Sequence, residues 1–292
     1  MSAIASTELQ YAPLGIEPRP LSALFKEGDV ARDFRDKDAV LWLARAQRLP
    51  DKDCAQVAQA LVDQVSAPVI AGPVAKSAEI GFKSWEPWSK KDLEAVSGCD
   101  SFPCDVKLNK AETEALAKLP EAKRFDRFTE LVQGRSQRYL ASGERKEYEF
   151  PGDPVDPWAI FAQAGLKNAA VAQPAEPRLH ARRVEFGPAD DVRVLHQVVD
   201  RRAARSADGR EAVSWLRDVY TDHYFDSWGE WTGSFCENAA TGKGVLLVQA
   251  LALELDLLKK TDLISRIARG KMRDTVEKNG RIYLDRAFDR LK

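Results

Sequence analysis

The C-terminal end of the chain constrains its architecture most. From Val245 to Leu258 the residues Leu247, Leu251, Leu253, Leu255 and Leu257 share one side of a period-two pattern. That pattern predicts a strand with one buried face. Thr261 or Asp262 then caps a helix predicted to run to Lys292, with Ile267, Met272, Val276, Gly280, Tyr283, Ala287 and Leu291 as its apolar stripe. A strand leading into a long amphipathic helix predicts a sheet with that helix laid across it, around an apolar core or an apolar ligand. Gly270 and Gly280 each cost about 1 kcal/mol against Ala inside a helix. The stripe therefore predicts close packing on the sheet, or a break at Gly270.

The region before this ending is also strand-like. Val184 and Phe186 alternate with charges, Gly187–Asp190 is a turn, and Val192, Val194, His196 and Val198 alternate in turn, which predicts a hairpin. Ser206–Gly209 and Thr241–Gly244 are further turns. Between them, Trp215, Tyr220, Tyr224, Phe225, Trp228 and Trp231 form a dense aromatic cluster in strand-compatible sequence.

The middle of the chain is helical. Asn109 followed by Glu112 predicts a helix start, with that helix running to about Leu119. A second helix from Glu121 carries Phe125, Phe128, Leu131, Val132, Tyr139 and Leu140 at helical spacing and ends at Gly143. Pro151–Pro157 reads as a loop, Trp158–Ala164 as a short helix and Ala169–Pro177 as a linker. Residues 1–36 read as an extended N-terminal arm. Ala39–Leu49 is apolar with no decisive period. Pro50–Asp53 reads as a turn, and Val57–Val65 reads in isolation as a helix stopped by Pro68.

Length and charge bound the function classes. The chain has 292 residues, enough for one large domain or two small ones, and its formal net charge is −1. Near-neutrality argues against a dedicated nucleic-acid binder, which carries a basic excess. No run approaches the ~18 apolar residues of a membrane-spanning helix. No secretory leader is visible at Met1–Ser6.

Cys99 and Cys104 flank a turn-prone segment, so a disulfide between them is sterically reasonable. The rivals are reduced thiols and a zinc half-site. The other half of a zinc site is missing, because Cys54 and Cys236 stand alone and no His pair has ligand spacing. No metal and no cofactor are expected. A disulfide implies an oxidising compartment such as the periplasm, with the cytoplasm as the alternative.

Three segments resemble an uncharacterised family of bacterial proteins. They are Leu93–Leu108, with its Cys-x4-Cys and the following Asp105–Leu108; His223–Ser227; and Arg269–Glu277. The family implies no activity and transfers no catalytic residue. Its usual Tyr-x-x-Arg-Ser-like end to the last strand is replaced here by Glu254–Leu258. The chain is also loosely similar to the START-like, helix-grip superfamily. The shared pattern is an early strand, a Pro-containing lead into short helices, several antiparallel strands and a long C-terminal helix. That similarity implies a strand rather than a helix at Val57–Val65, and a lipid, sterol or polyketide held between sheet and helix.

His223, in Asp222-His223-Tyr224, is the leading candidate for acid–base work. On a strand Asp222 would face away from it. Asp226 can orient it if a turn intervenes. The bland alternative is a hydrogen-bonded structural histidine. His196 reads as half-buried filler, and His180 is uninformative. Ala240–Gly244 lacks the spacing of a phosphate loop. The basic runs Arg201, Arg202, Arg205 and Arg266, Arg269, Lys271, Arg273 read as solvated faces.

The expected fold is α+β. An antiparallel sheet is gripped by a long C-terminal helix (residues 37–92 and 178–292), with a helical insertion at 93–177. The expected function is non-catalytic binding or carriage of an apolar small molecule or lipid, lined by Trp215, Tyr220, Tyr224, Trp228, Trp231, Met272, Val276 and Tyr283. One alternative is a structural or interaction protein with a filled core, whose helical insertion docks a protein partner. The other is a cyclase- or hydrolase-type enzyme using His223.

Overall fold

The computed structural model describes residues 8–9, 19–20, 31–35, 40–66, 88–143, 179–187, 193–223, 225–255 and 274–286. In chain order these are β1 (Glu8–Leu9), β2 (Arg19–Pro20), β3 (Ala31–Arg35), β4 (Val40–Asp53), α1 (Cys54–Ser66), α2 (Lys90–Ser97), α3 (Lys110–Ala117) and α4 (Glu121–Ser142). Then come β5 (Leu179–Phe186), β6 (Arg193–Arg205), β7 (Ala212–Thr221), β8 (Phe225–Asn238), β9 (Lys243–Leu255) and the helix α5 (274–286). The fold is α+β, as the sequence predicts.

β1 and β2 pair with each other. The other strands form one antiparallel sheet in the order β3-β4-β9-β8-β7-β6-β5. β5 to β9 is a meander of successive neighbours. β4 closes on its far side by pairing with β9, so the first long strand lies beside the last. Of the expected N-terminal arm, Ala31–Arg35 belongs to the sheet as its edge strand.

Two expectations are corrected here. Val57–Val65 is helical, not the strand that the START-like pattern implies. Asp53 Oδ1 accepts the backbone N–H of Gln56 at 2.9 Å, an N-cap, and Val57, Ala58 and Leu61 then share a buried face. Pro50–Asp53 is not a free turn but the irregular end of β4, where the register to β9 shifts. Of the expected closing helix, residues 274–286 are described, as α5. The rest of its expected span, Met272 and Gly270 included, lies outside the described residues, as do Tyr224, the loop from Pro151 and the helix from Trp158.

Both α1 and α5 pack on the same face of the sheet. Leu49, Val245, Leu247 and Cys236 meet Cys54 and Val57 of α1, and Ala212 meets Ala58 and Leu61. Farther along the same strand faces, Leu41, Leu43, Leu251, Leu253, Trp228 and Leu216 meet Val276 and Leu284 of α5, with Tyr283 packed alongside. Contact under α5 is close: a Cβ on Gly280 would lie 2.5 Å from Leu43 Cδ1. Glycine at this helical position is thus explained by the approach of the sheet.

The opposite face of β5, β6 and β7 carries the helical layer. Phe128, Val132 and Tyr139 of α4, with Val96, Leu108 and Leu116, cover Leu179, Ala181, Val198, Val219 and Tyr220. Asn109 and Glu112 form the expected capping box at α3, and Gly143 ends α4 at φ 69°. Tyr139 Oη donates to Asp200 and accepts from Arg217 Nε at 2.9 Å, which fixes α4 to the sheet.

Cys99 and Cys104 are bonded, as expected. Cys54 and Cys236 do not stand alone: they form a second disulfide across 182 residues that joins the start of α1 to β8. Sequence distance hid this pair. The fold brings the helix start over the end of the hairpin and closes the gap.

Candidate functional site

The register places one row of side chains straight across the sheet, on the α1 and α5 face. Arg45 pairs with Gln249, Gln249 with Thr232, Thr232 with Ser214, and Ser214 with Ala203. On one side lies the row Gln47, Leu247, Ser234, Ala212, which α1 adjoins. On the other lies Leu43, Leu251, Glu230, Leu216, which α5 adjoins.

α1 adjoins the Leu247 row, and α5 sits over Leu43 and Leu251. Those rows are four residues apart along β9, about 14 Å at about 3.4 Å per residue. Helices in contact lie about 8–10 Å apart. The row therefore forms a strip of the sheet between the two helices.

Small side chains dominate the middle of that floor. Thr232 and Ala203 are half-buried, Ser214 is buried, and Gln249 is only 5 % exposed. Gln249 Oε1 and Gln47 Oε1 are buried with no hydrogen-bond partner among the described residues. Buried amide oxygens are normally satisfied; Asn279 Oδ1 of α5 is a third without a partner among the described residues. The strip is pinned at both ends by helix-to-sheet contacts: Arg45 with Asp285 of α5, and Arg205 with Gln59 of α1.

Beside the strip, under α5, is a buried polar knot. Glu230 Oε1 accepts from Tyr283 Oη at 2.7 Å and from Trp228 Nε1 at 2.8 Å, and pairs with Arg182 at 2.9 Å. Arg182 Nε donates to Gln197 Oε1 at 2.8 Å, and Gln197 Nε2 donates to Thr221 Oγ1 at 3.1 Å. Burial works most strongly against the Glu230 charge, but the Arg182 charge, the hydrogen bonds from Tyr283 and Trp228 and the Arg201 charge together outweigh it and hold the carboxyl below its ordinary range. Tyr283 is pushed well above the usual tyrosine range, by burial first and by Glu230 second. Burial also opposes the Arg182 charge, yet Glu230 and Tyr283 raise its pKa.

A second constellation lies where the helical layer meets β6 and β7. His196 Nδ1 lies 2.7 Å from Asp222 Oδ2, and the Trp88 ring stacks on the His196 ring at 4.1 Å. His223 Nδ1 lies 2.7 Å from the Asp105 carbonyl oxygen, so that nitrogen carries the donating proton. Its Nε2 lies 3.6 Å from Asp222 Oδ2 and 4.0 Å from Asp92 Oδ1. The structure thus reverses three expectations. Asp222 does approach His223, because both sit in the bend after β7 and not on a strand. Asp226 does not orient it, being paired with Lys107. His196 is not filler but part of a buried acid–imidazole pair. Among the described residues no cluster of His, Cys, Asp and Glu has the geometry of a metal site.

The aromatic cluster read from the sequence divides over three places. Trp228, Val276 and Tyr283 come together under α5, with Trp228 and Tyr283 edge-to-face at 5.3 Å. Trp215 and Trp231 pair across β7 and β8, on the other face of the sheet. Tyr220 joins the helical layer.

No local pattern in the sequence marks the polar strip. Its one trace is Gln249, which interrupts the leucine face of Leu247, Leu251, Leu253 and Leu255. Ser89 followed by Asp92, a full capping box that brings Asp92 near His223, was also missed.

No protein-family model and no curated protein matches the chain. Among the described residues no helix is long and apolar enough to cross a membrane.

Proposed function

We propose that the chain binds a small amphiphilic molecule on the strip between α1 and α5, without transforming it. One observation carries this reading. A continuous row of small or polar side chains, Gln249, Thr232, Ser214 and Ala203, lies between two rows of mixed character, one holding Leu247 and Ala212 and the other Leu43, Leu251 and Leu216, that the helices adjoin. A packed core would place large apolar residues there. The half-buried state of Thr232 and Ala203 supports access from solvent.

The apolar part of the ligand lies against the flanking leucines, and its polar part on the row. This moves the ligand from directly under α5, where Gly280 and Trp228 leave close packing, to the space beside it. A strand followed by α1, a helical layer, antiparallel strands and a C-terminal helix supports the START-like reading of the scaffold. The two disulfides support an oxidising compartment, and the periplasm is the one we favour. A protein partner on the helical layer is less well supported. Leu93 is the exposed large apolar residue there, and a lone leucine is no patch.

Organic extraction of the purified chain, followed by mass spectrometry, tests the binding reading. A small molecule should be recovered from the native chain and lost from Thr232→Trp, which fills the strip. An empty native chain would count against it.

A second reading is acid–base chemistry at His223, favoured by the approach of its Nε2 to Asp222 and Asp92. Under that reading, His223→Gln abolishes an activity found by substrate screening and leaves the far-ultraviolet circular dichroism intact. Failure of a broad hydrolase screen on the native chain would dismiss it.

A further inference from the structure

We infer that the Cys99–Cys104 bond is exchangeable: a dithiol opens it while the fold is intact, and its state decides which nitrogen of His223 carries the proton. Neither the strip nor a catalytic role for His223 is needed for this.

The two disulfides differ in access. Cys54 and Cys236 are 0 % and 4 % exposed and lie in the core between α1 and the sheet. Cys104 is half-buried, and its neighbours Pro103 and Asp105 are exposed. Exchange begins with a thiolate reaching a sulfur, so access decides which bond opens first. A thiolate of the dithiol attacks Cys104 Sγ. The Cys99 sulfur leaves with the electron pair of the broken bond and takes up a proton. The second thiolate of the reagent then attacks its own sulfur in the mixed disulfide, and Cys104 leaves and is protonated. The reagent ends as a disulfide and the pair as two thiols.

The bond ties together the two elements that hold His223. Cys99 follows α2, which carries Asp92, and Cys104 precedes Asp105. The Asp105 carbonyl accepts from His223 Nδ1 at 2.7 Å. The neutral ring therefore keeps its lone pair on Nε2, 3.6 Å from Asp222 Oδ2 and 4.0 Å from Asp92 Oδ1. Beyond Asp105 the chain is anchored without the bond. The Lys107 backbone N–H donates to the Asp222 carbonyl at 3.0 Å, and the Lys107 side chain pairs with Asp226. On the other side Arg124 meets Asp100 at 2.7 Å, but the Asp100 side chain is 71 % exposed, and such a pair holds weakly. Opening the bond thus frees the segment from Gly98 to Asp105 and leaves the rest in place. Once the Asp105 carbonyl withdraws, the ring proton moves by way of water to Nε2, where Asp222 and Asp92 accept it. Oxidised, the ring offers a base at Nε2; reduced, it offers a donor there.

Dithiothreitol added to the native chain, with alkylation and peptide mass spectrometry at timed points, reads which cysteines open. Cys99 and Cys104 should take the label at least about tenfold sooner than Cys54 and Cys236, with the far-ultraviolet circular dichroism unchanged. Long-range proton–nitrogen correlation spectra of the same samples read the tautomer of each of the three histidines, and His223→Gln assigns the His223 signal. With the ring neutral, His223 should pass from the Nδ1–H to the Nε2–H pattern as Cys99–Cys104 opens. Cys99→Ser with Cys104→Ser should show the Nε2–H pattern without reductant. If that double variant does not fold, the timed samples of the native chain decide alone. Opening of both disulfides together, loss of the fold as Cys99–Cys104 opens, or an unchanged His223 pattern each overturns the inference.

Discussion

The carboxylate of Asp222 holds His196 twice. Its Oδ1 accepts the His196 backbone N–H at 2.9 Å, and its Oδ2 lies 2.7 Å from the ring Nδ1. Both residues are almost wholly buried. In return, the backbone N–H of Asp222 donates to the His196 carbonyl at 3.1 Å, and the Asp222 carbonyl accepts from Lys107 in the helical layer. The pair therefore joins sheet and helices at one point.

Removal of one partner from such a pair leaves a buried polar group unsatisfied. Asp222→Asn is expected to lower stability by about 1–3 kcal/mol. The double variant with His196→Leu should lose less than the sum of the two single changes. Urea unfolding of the native chain and the three variants measures this. Strict additivity would show that the contact carries no coupling.

The disulfides should contribute unequally. The loop-entropy account gives about 5 kcal/mol for a closure as long as Cys54–Cys236 and about 2 kcal/mol for the short Cys99–Cys104. The expected order is that Cys54→Ala with Cys236→Ala costs more than Cys99→Ala with Cys104→Ala. Guanidinium midpoints of the two double variants decide it. Alkylation of the denatured, unreduced chain should add no label to any of the four cysteines.

Much of the fold could be read where the signal is local. The capping box at Asn109 and Glu112, the end of α4 at Gly143 and the β5–β6 hairpin each depend on a few adjacent residues. What could not be read depends on distance. Cys54 and Cys236 become neighbours only because β4 pairs with β9 and β9 with β8. The three locations of Trp228, Trp231 and Tyr220 follow from strand parity and from register shifts near Val198 and Phe225. A one-residue shift turns a side chain to the other face, and nothing in a run of aromatics announces it. The site was less legible than the fold. It consists of glutamine, threonine, serine and alanine, whose meaning appears only when four strands set them side by side.

Gly280 should respond to substitution against the usual helical trend. Gly→Ala inside a helix ordinarily stabilises by about 1 kcal/mol. Here the added methyl would meet Leu43 Cδ1 at 2.5 Å. Gly280→Ala is therefore expected to destabilise by about 1–3 kcal/mol through overpacking, and Leu43→Val in the same chain should recover part of the loss. Thermal unfolding of the single and double variants checks both. A more stable Gly280→Ala would mean that α5 does not sit on β4 as described.

The knot under α5 makes stability depend on pH at both extremes. Glu230 is held below its ordinary 4.5: burial raises it, but the Arg182 charge, the hydrogen bonds from Tyr283 and Trp228 and the Arg201 charge together lower it more. A carboxyl with a depressed pKa stabilises the fold above its unfolded value, and that contribution fades as pH falls. Stability should therefore drop below about pH 4.5, and Glu230→Gln should flatten that part of the curve while lowering stability near neutrality. Tyr283 behaves oppositely. Burial and Glu230 raise its pKa above the ordinary 10.0, so its contribution is intact below that value and is lost as pH rises past it. Alkaline titration of the folded chain, followed by phenolate absorbance, should show Tyr283 un-ionised until the fold opens, with Tyr139 behaving likewise. Tyr283→Phe should remove one late-titrating phenol. If that variant instead removes a phenol that ionises in the ordinary range, Tyr283 is not buried against Glu230, and α5 does not close this side of the sheet.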